Sequence, residues 1–158
     1  MIVWLSSKVV SLMTEEANKQ YPLETGGVLL GWKQKQEFVI ADVVGPGPTA
    51  KHDKHTFYPD HDWQVTNIET RFRLSGGQLN YLGDWHTHPN TKAQMSSLDN
   101  STLRHISISV PSPLMMILGG GVDGDWRDRA CWCCVHQSFM FINFYEIQKV
   151  SLKCFDDL

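Results

Sequence analysis

His86-Thr87-His88-Pro89, continued by Asn90 to Met95 and then by Ser96-Ser97-Leu98-Asp99, is the stretch on which the reading of this chain turns. Side chains at i and i+2 of a strand share a face, so His86 and His88 project side by side and can converge on one ion. Pro89 stops the strand, which sets the pair at a sheet edge rather than in mid-core. Ser96-Ser97-Leu98-Asp99 has the form of a helix capping box, with Ser96 as the cap and Asp99 at the third helical position. A helix start also favours negative charge and leaves backbone N–H groups aimed at nearby ligands, so capping and chemistry are compatible. Two neutral imidazoles and one carboxylate are a good ligand set for Zn²⁺, with a fourth position left to water as in catalytic sites.

Such a site needs a general base, and Glu24 is the candidate. It opens Glu24-Thr25-Gly26-Gly27-Val28-Leu29-Leu30-Gly31, and glycines within a strand mark close backbone approach. Each residue alone has an ordinary explanation: a surface histidine, a cap, a solvent-facing glutamate. Their combination carries the functional reading.

Around this stretch the pattern alternates strands and helices. Residues 2–6 read as a strand. A helix follows from about Lys8 to Gln20, capped by Ser6 or Ser7, with Val9, Val10, Leu12, Met13 and Ala17 as its apolar face. Thr25–Trp32 and Glu37–Val44 form a hairpin, and Gly45-Pro46-Gly47-Pro48 opens a loop reaching about Pro59. A second helix fits from Asp60 or Asp62 to Leu74, a strand over 79–88, and a third helix from Ser96 or Ser97 to about Ile106. Leu114–Leu118, Arg129–His136 and Met140–Tyr145 read as strands, and Ile147–Leu158 is left unassigned. The expectation is an α/β (α+β) domain over 1–158, a mixed or mostly antiparallel sheet with about three helices packed on it.

Composition narrows the function. The 158 residues are 42% hydrophobic and 20% charged, an ordinary globular profile. No apolar run approaches the ~18 residues of a membrane span. The N-terminus lacks the basic segment and cleavage site of a signal peptide, so a cytoplasmic location is expected. With 14 basic and 17 acidic side chains and no basic stripe, a nucleic-acid partner is not expected. Cys131, Cys133 and Cys134 read as reduced thiols on a buried strand.

Together these residues resemble the JAMM (MPN-plus, JAB-type) metallopeptidase family. Its pattern is a distant Glu, then H-x-H-x₇-S-x-x-D with Pro after the second His, and Glu24, His86, His88, Ser96 and Asp99 match it in order and spacing. Thr87 replaces the serine found between the histidines of many members. The resemblance covers about residues 1–145 and implies an MPN/JAB-like (cytidine-deaminase-like) fold with a curved sheet. It implies Zn²⁺ held by His86, His88 and Asp99, with Glu24 as general base and Ser96 as hydrogen-bond donor to the oxyanion. Asp84, on the His86 face, would orient a ligand. Leu82-Gly83-Asp84-Trp85-His86-Thr87-His88-Pro89 is most similar to stand-alone prokaryotic JAB proteins encoded beside ubiquitin-like conjugation and cyclic-oligonucleotide anti-phage (CBASS) genes. The implied activity is deconjugation: hydrolysis of the (iso)peptide bond at the C-terminus of a ubiquitin-like or nucleotidyltransferase-type (CD-NTase) bacterial protein. Gly45–His61 and Ser107–Ser112 would shape the substrate groove.

Two other readings use the same residues. One is a peptidase trimming a ubiquitin-like or sulfur-carrier precursor. The other is a non-catalytic MPN scaffold, which would need none of Glu24, the histidines, Ser96 or Asp99. A zinc deaminase is disfavoured, because His86-Thr87-His88 lacks H-x-E and Cys131-Trp132-Cys133-Cys134 lacks P-C-x-x-C. The absence of H-E-x-x-H excludes a zincin.

Overall fold

A computed structural model describes residues 1–157. The elements run β1 (Ile2–Ser6), α1 (Ser7–Gln20), β2 (Gly26–Gln34), β3 (Glu37–Val44), β4 (Lys51–His52), β5 (Phe57–Tyr58), α2 (His61–Leu74), β6 (Asn80–Pro89), α3 (Ser97–Ile106), β7 (Leu114–Gly120), β8 (Asp128–Phe139) and β9 (Ile142–Phe155). Seven strands form one sheet in the order β1-β3-β2-β6-β7-β8-β9. It is mixed: β1 runs parallel to β3 and to β9, β6 runs parallel to β7, and the other neighbours are antiparallel.

The sheet curls until it closes, because β1 pairs with both β3 and β9. Ile147–Phe155 of the unassigned tail therefore belong to the closing strand, and Leu158 lies outside the described residues. Ser151–Phe155 lie beside Ile2–Ser6, and Ser6 Oγ donates to Asp157 Oδ2 at 2.6 Å. The strand expected over Met140–Tyr145 begins at Ile142 and runs without a break to Phe155.

Each helix starts where the sequence supplies a cap. Ser6 accepts from the Val9 N–H, Asp60 from Trp63, and Ser96 from Asp99. On α1, Val9, Met13 and Ala17 recur every four residues and are fully buried. They pack with Val3, Leu5, Leu29, Phe38, Trp85 and Leu114 as the main core on one face of the sheet. The opposite face carries two smaller clusters. Val28, Leu30 and Val44 lie under Trp63 and Ile68 of α2, and Met115 and Ile117 lie with Leu103 of α3. Adjacent Cys133 and Cys134 point to opposite faces and both are buried, because the sheet is covered on both sides there. Among the described residues all four cysteines are free thiols, with Cys154 exposed.

One expectation about the histidine strand is corrected. β6 lies between β2 and β7 and is a central strand, not an edge. The histidines sit near its C-terminal end, where Pro89 closes the run. The connection after β3 is also more ordered than a plain loop, since Lys51 pairs with Tyr58 and His52 with Phe57 in a small ribbon. Among the described residues no helix is long and apolar enough to cross a membrane.

Candidate active site

β6 places Asp84, His86 and His88 on the face that carries α2 and α3. α3 then brings Asp99 over them, its carboxylate fixed by the capping box: the Ser96 N–H donates to Asp99 Oδ2 at 2.7 Å, and the Asp99 N–H donates to Ser96 Oγ at 3.1 Å. The three side chains converge. His86 Nε2 lies 3.1 Å from His88 Nε2 and 3.0 Å from Asp99 Oδ1, and His88 Nε2 lies 3.4 Å from Asp99 Oδ2. Among the described residues this is the one cluster of three or more His, Cys, Asp or Glu side chains with ligand atoms close enough for a single metal ion.

The size of this triangle tests the fit to a metal. A tetrahedral ion with bonds of about 2.0–2.2 Å holds its ligand atoms about 3.3–3.6 Å apart. The separations of 3.0 to 3.4 Å are near that edge length, with His86 and His88 approaching different oxygens of Asp99; one ligand atom from each of the three residues lies within 4.8 Å of the other two. With both Nε2 atoms unprotonated, the two imidazoles and the carboxylate offer lone pairs to one point, as a cation requires; without an ion, hydrogen bonds from His86 and His88 to Asp99 hold the same atoms together. The donor set therefore fits a small divalent cation, with room on the cavity side for water and substrate.

Glu24 reaches the same cavity from the segment just ahead of β2, the strand that pairs with β6 and sets Gly26 opposite His86. Its backbone is clamped on both sides. The Glu24 N–H donates to the Asp53 carbonyl at 2.8 Å, and its own carbonyl lies 2.8 Å from His52 Nδ1, which must carry the proton. Next along the chain, the Thr25 N–H donates to Thr87 Oγ1 at 3.0 Å and the Thr87 N–H to the Thr25 carbonyl at 2.9 Å. Thr87, between the two histidines, thus ties the Glu24 segment to the histidine strand.

Charge follows geometry. Burial raises the Glu24 carboxyl above its ordinary value, an effect offset in part by His86 and His88 and reinforced by Asp99. Burial alone would also raise Asp99, but hydrogen bonds from His86 and His88 overcome it and hold that carboxyl far below the usual range. For His88 burial works against protonation, yet the Asp99 hydrogen bond and charge prevail and raise it. Asp84, expected to orient a ligand, makes no hydrogen bond to His86 or His88. It accepts a hydrogen bond from Tyr81 Oη at 2.8 Å, and burial pushes its carboxyl up.

The cavity encloses roughly 650 Å³. It is lined by Glu24, His86, His88, Ser96 and Asp99 and by the apolar side chains of Phe57, Tyr58, Leu98 and Met115. The ribbon from the Gly45–His61 segment thus forms one wall, while no residue of Ser107–Ser112 lines the cavity. Phe57, Tyr58 and Leu98 were not singled out in sequence. Their signal was faint: two aromatics in a polar loop, and an apolar residue in the first turn of a polar helix start. Among the described residues His52, His55 and His61 form no metal cluster, and His55 lines the cavity.

Three comparisons extend these observations. Residues 6–134 match the model of prokaryotic homologs of the JAB domain. A probable metalloprotease of Sinorhizobium fredii, y4qB, is 35% identical over 135 residues, 82% of each chain. A CD-NTase/cGAS isopeptidase of Vibrio cholerae is 27% identical over 119 residues, 75% of this chain and 76% of its own. In structure, a protein of Desulfitobacterium hafniense solved in solution superposes with a TM-score of 0.70 at 20% identity, covering 100% of this chain and 95% of that one. That last likeness speaks to the fold alone.

Proposed function

The chain belongs to the prokaryotic JAB-domain family, and from that premise we propose that it is a zinc-dependent isopeptidase acting as one domain over residues 1–158 in the cytoplasm. The relatives' names place the reaction class as peptide-type hydrolysis. The observation that carries the site assignment is the His86–His88–Asp99 triangle sharing one cavity with Glu24 and Ser96.

His86, His88 and Asp99 would hold the zinc. A bound zinc supplies Lewis acidity toward water and the scissile carbonyl. Glu24 takes a proton from the attacking water and passes it to the departing nitrogen. Its partial burial suits the task, because a raised carboxyl is a better base near neutral pH. Ser96 Oγ already accepts from the Asp99 N–H, which leaves its own proton free for the oxygen that becomes negative in the tetrahedral intermediate. The clamp on the Glu24 backbone keeps the base at a fixed distance from the histidine strand, as positioning catalysis requires.

We assign the substrate as a protein joined through its C-terminus to another group, of the ubiquitin-like or nucleotidyltransferase type. Two things support this: the relative in Vibrio cholerae is named a CD-NTase/cGAS isopeptidase, and the cavity beside the histidines is lined in part by the apolar side chains of Phe57, Tyr58, Leu98 and Met115. The test pairs metal content by mass spectrometry with cleavage of a purified protein conjugate, beside Glu24→Ala. One zinc per chain, with cleavage abolished in Glu24→Ala, is the expected result. A chain that retains no metal overturns the reading in favour of a binding scaffold.

A further inference from the structure

Asp99 and the histidines arrive on different elements, so the site depends on what fixes one element against the other. His88 lies near the end of β6, and Asp99 lies in the first turn of α3. The chain between those elements, Asn90–Ser96, is neither helix nor strand. α3 itself leans lightly on the sheet. Of its ten residues only Asp99 and Leu103 are buried, and Leu103 packs with Met115 and Ile117 of β7. A single apolar anchor one turn past Asp99 leaves the start of the helix free to pivot unless a second point is held.

The second point is Ala93. It is 5% exposed and belongs to the same apolar cluster as Leu103. Its N–H donates to Asp128 Oδ2 at 2.8 Å. Asp128 opens β8 and stands opposite Gly119 of β7. Directly opposed residues of an antiparallel pair share a face, so the carboxylate rises beside Gly119. A Cβ on Gly119 would overlap the Ala93 nitrogen and stand 2.7 Å from the Lys92 carbonyl carbon and the Thr91 carbonyl oxygen. The connection therefore lies flat on the backbone of β7, and Asp128 grips it from the neighbouring strand. The grip is close to the ligands on both sides. Gln94, the next residue, hydrogen-bonds the His88 ring through its backbone, a contact of the kind that orients metal-binding histidines. Ser96, which fixes the Asp99 carboxylate, follows Ala93 within about 11 Å of chain.

We propose that Asp128 is a positioning residue for the metal site: by holding the Ala93 N–H it fixes the connection that sets His88 and Asp99 against each other. The inference rests on the reading of His86, His88 and Asp99 as zinc ligands. Asp128 does not line the cavity, so it acts through the backbone and not on substrate. Its removal leaves the N–H of a buried residue without a partner, and the connection must shift to find one.

The experiment measures the zinc dissociation constant by competition with a chromophoric chelator, for the full chain and for Asp128→Ala, Asp128→Asn and Asp125→Ala. Asp128 is exposed, so none of these changes opens the core. Alanine and asparagine at this position carry the same charge, so their difference reports the hydrogen bond and not the field of the carboxylate. Asp128→Ala is expected to bind zinc about 10-fold more weakly, the lower end of the range for groups that support metal ligands. Asp128→Asn keeps an acceptor oxygen and is expected to recover most of the lost affinity. Asp125→Ala removes an equal charge whose hydrogen bonds go to Arg127, and it should match wild type. In the metal-free proteins the Ala93 amide should exchange with solvent faster in Asp128→Ala than in wild type or Asp128→Asn. Wild-type affinity in Asp128→Ala overturns the inference alone, as does an asparagine variant no tighter than the alanine. A wild type that takes up no zinc overturns the zinc reading, and this inference with it.

Discussion

Gly26→Ala tests the proposed general base, Glu24, apart from the proposed metal ligands by a single methyl group. Gly26 lies opposite His86, two residues after Glu24. A Cβ built there would overlap the carbonyl oxygen of Trp85 and stand 2.7 Å from two carbons of the Phe57 ring. Ordinary carbon–carbon contact is about 3.5–4.0 Å, so the ring must give by about 1 Å. The Trp85 carbonyl cannot rotate away, because it belongs to the β6 backbone between β2 and β7. β2 must therefore move off β6, and Glu24 moves with it. Overpacking of this kind costs about 1–3 kcal/mol. At about 2–4 °C per kcal/mol for a chain of this size, the melting temperature should fall by roughly 2–12 °C. A displacement of about 1 Å at a positioned group costs on the order of 10²-fold in rate. His86, His88 and Asp99 lie on β6 and α3, so metal content should not change. The assays are thermal unfolding, zinc stoichiometry and kcat on a protein conjugate. An alanine variant that melts and turns over like wild type refutes the close-approach argument. One that loses zinc refutes the claim that β2 carries only the base.

Other perturbations probe neighbouring supports. His52→Ala removes the hydrogen bond to the Glu24 carbonyl, worth about 1 kcal/mol; kcat should drop several-fold with KM and zinc content unchanged, and an unaltered kcat would show that the ribbon does not position the base. Ser96→Ala loses the α3 cap, about 1 kcal/mol, and the proposed donor to the oxyanion, a loss worth on the order of 10²-fold in rate; a rate that falls no more than the unfolding shift explains would confine Ser96 to capping. Thiol labelling of the native protein at pH 8 should modify Cys154 alone, because burial raises the Cys131 thiol strongly and pushes Cys133 up to about 11. Mass spectrometry showing rapid labelling at Cys133 would mean that β8 opens far more readily than its packing implies.

What sequence made legible, and what it hid, follows from the range of the interactions. Helix starts were readable because Ser6, Asp60 and Ser96 act within three residues of themselves. Closure of the sheet was not, because β9 pairs with a strand about 150 positions away and neither strand carries a local mark of the other. The central place of β6 was hidden for a related reason: Pro89 suggests an edge, but it only ends the run after the histidines have been placed.

The histidine strand also shows how narrowly period-two reasoning holds. From Asp84 to His88 the alternation is regular, and the pair falls on one face as expected. Immediately before it, the pairing with β2 slips: Leu29 faces Gly83 and Leu30 faces Tyr81, leaving Leu82 unmatched. Gly83 adopts φ 150°, and a Cβ there would overlap the Leu114 carbonyl, so only glycine permits the step. The slip shifts the face by one residue. It turns Leu82 into the main core and brings Tyr81 to the side of Val28 and Leu30, where its hydroxyl reaches Asp84. Counting back from His86 with a strict period of two would have placed Leu82 on the site face and Tyr81 in the core. The alternation that locates the two histidines therefore holds only on the C-terminal side of Gly83, and it is the bulge that supplies Asp84 with its partner while His86 and His88 are left for Asp99.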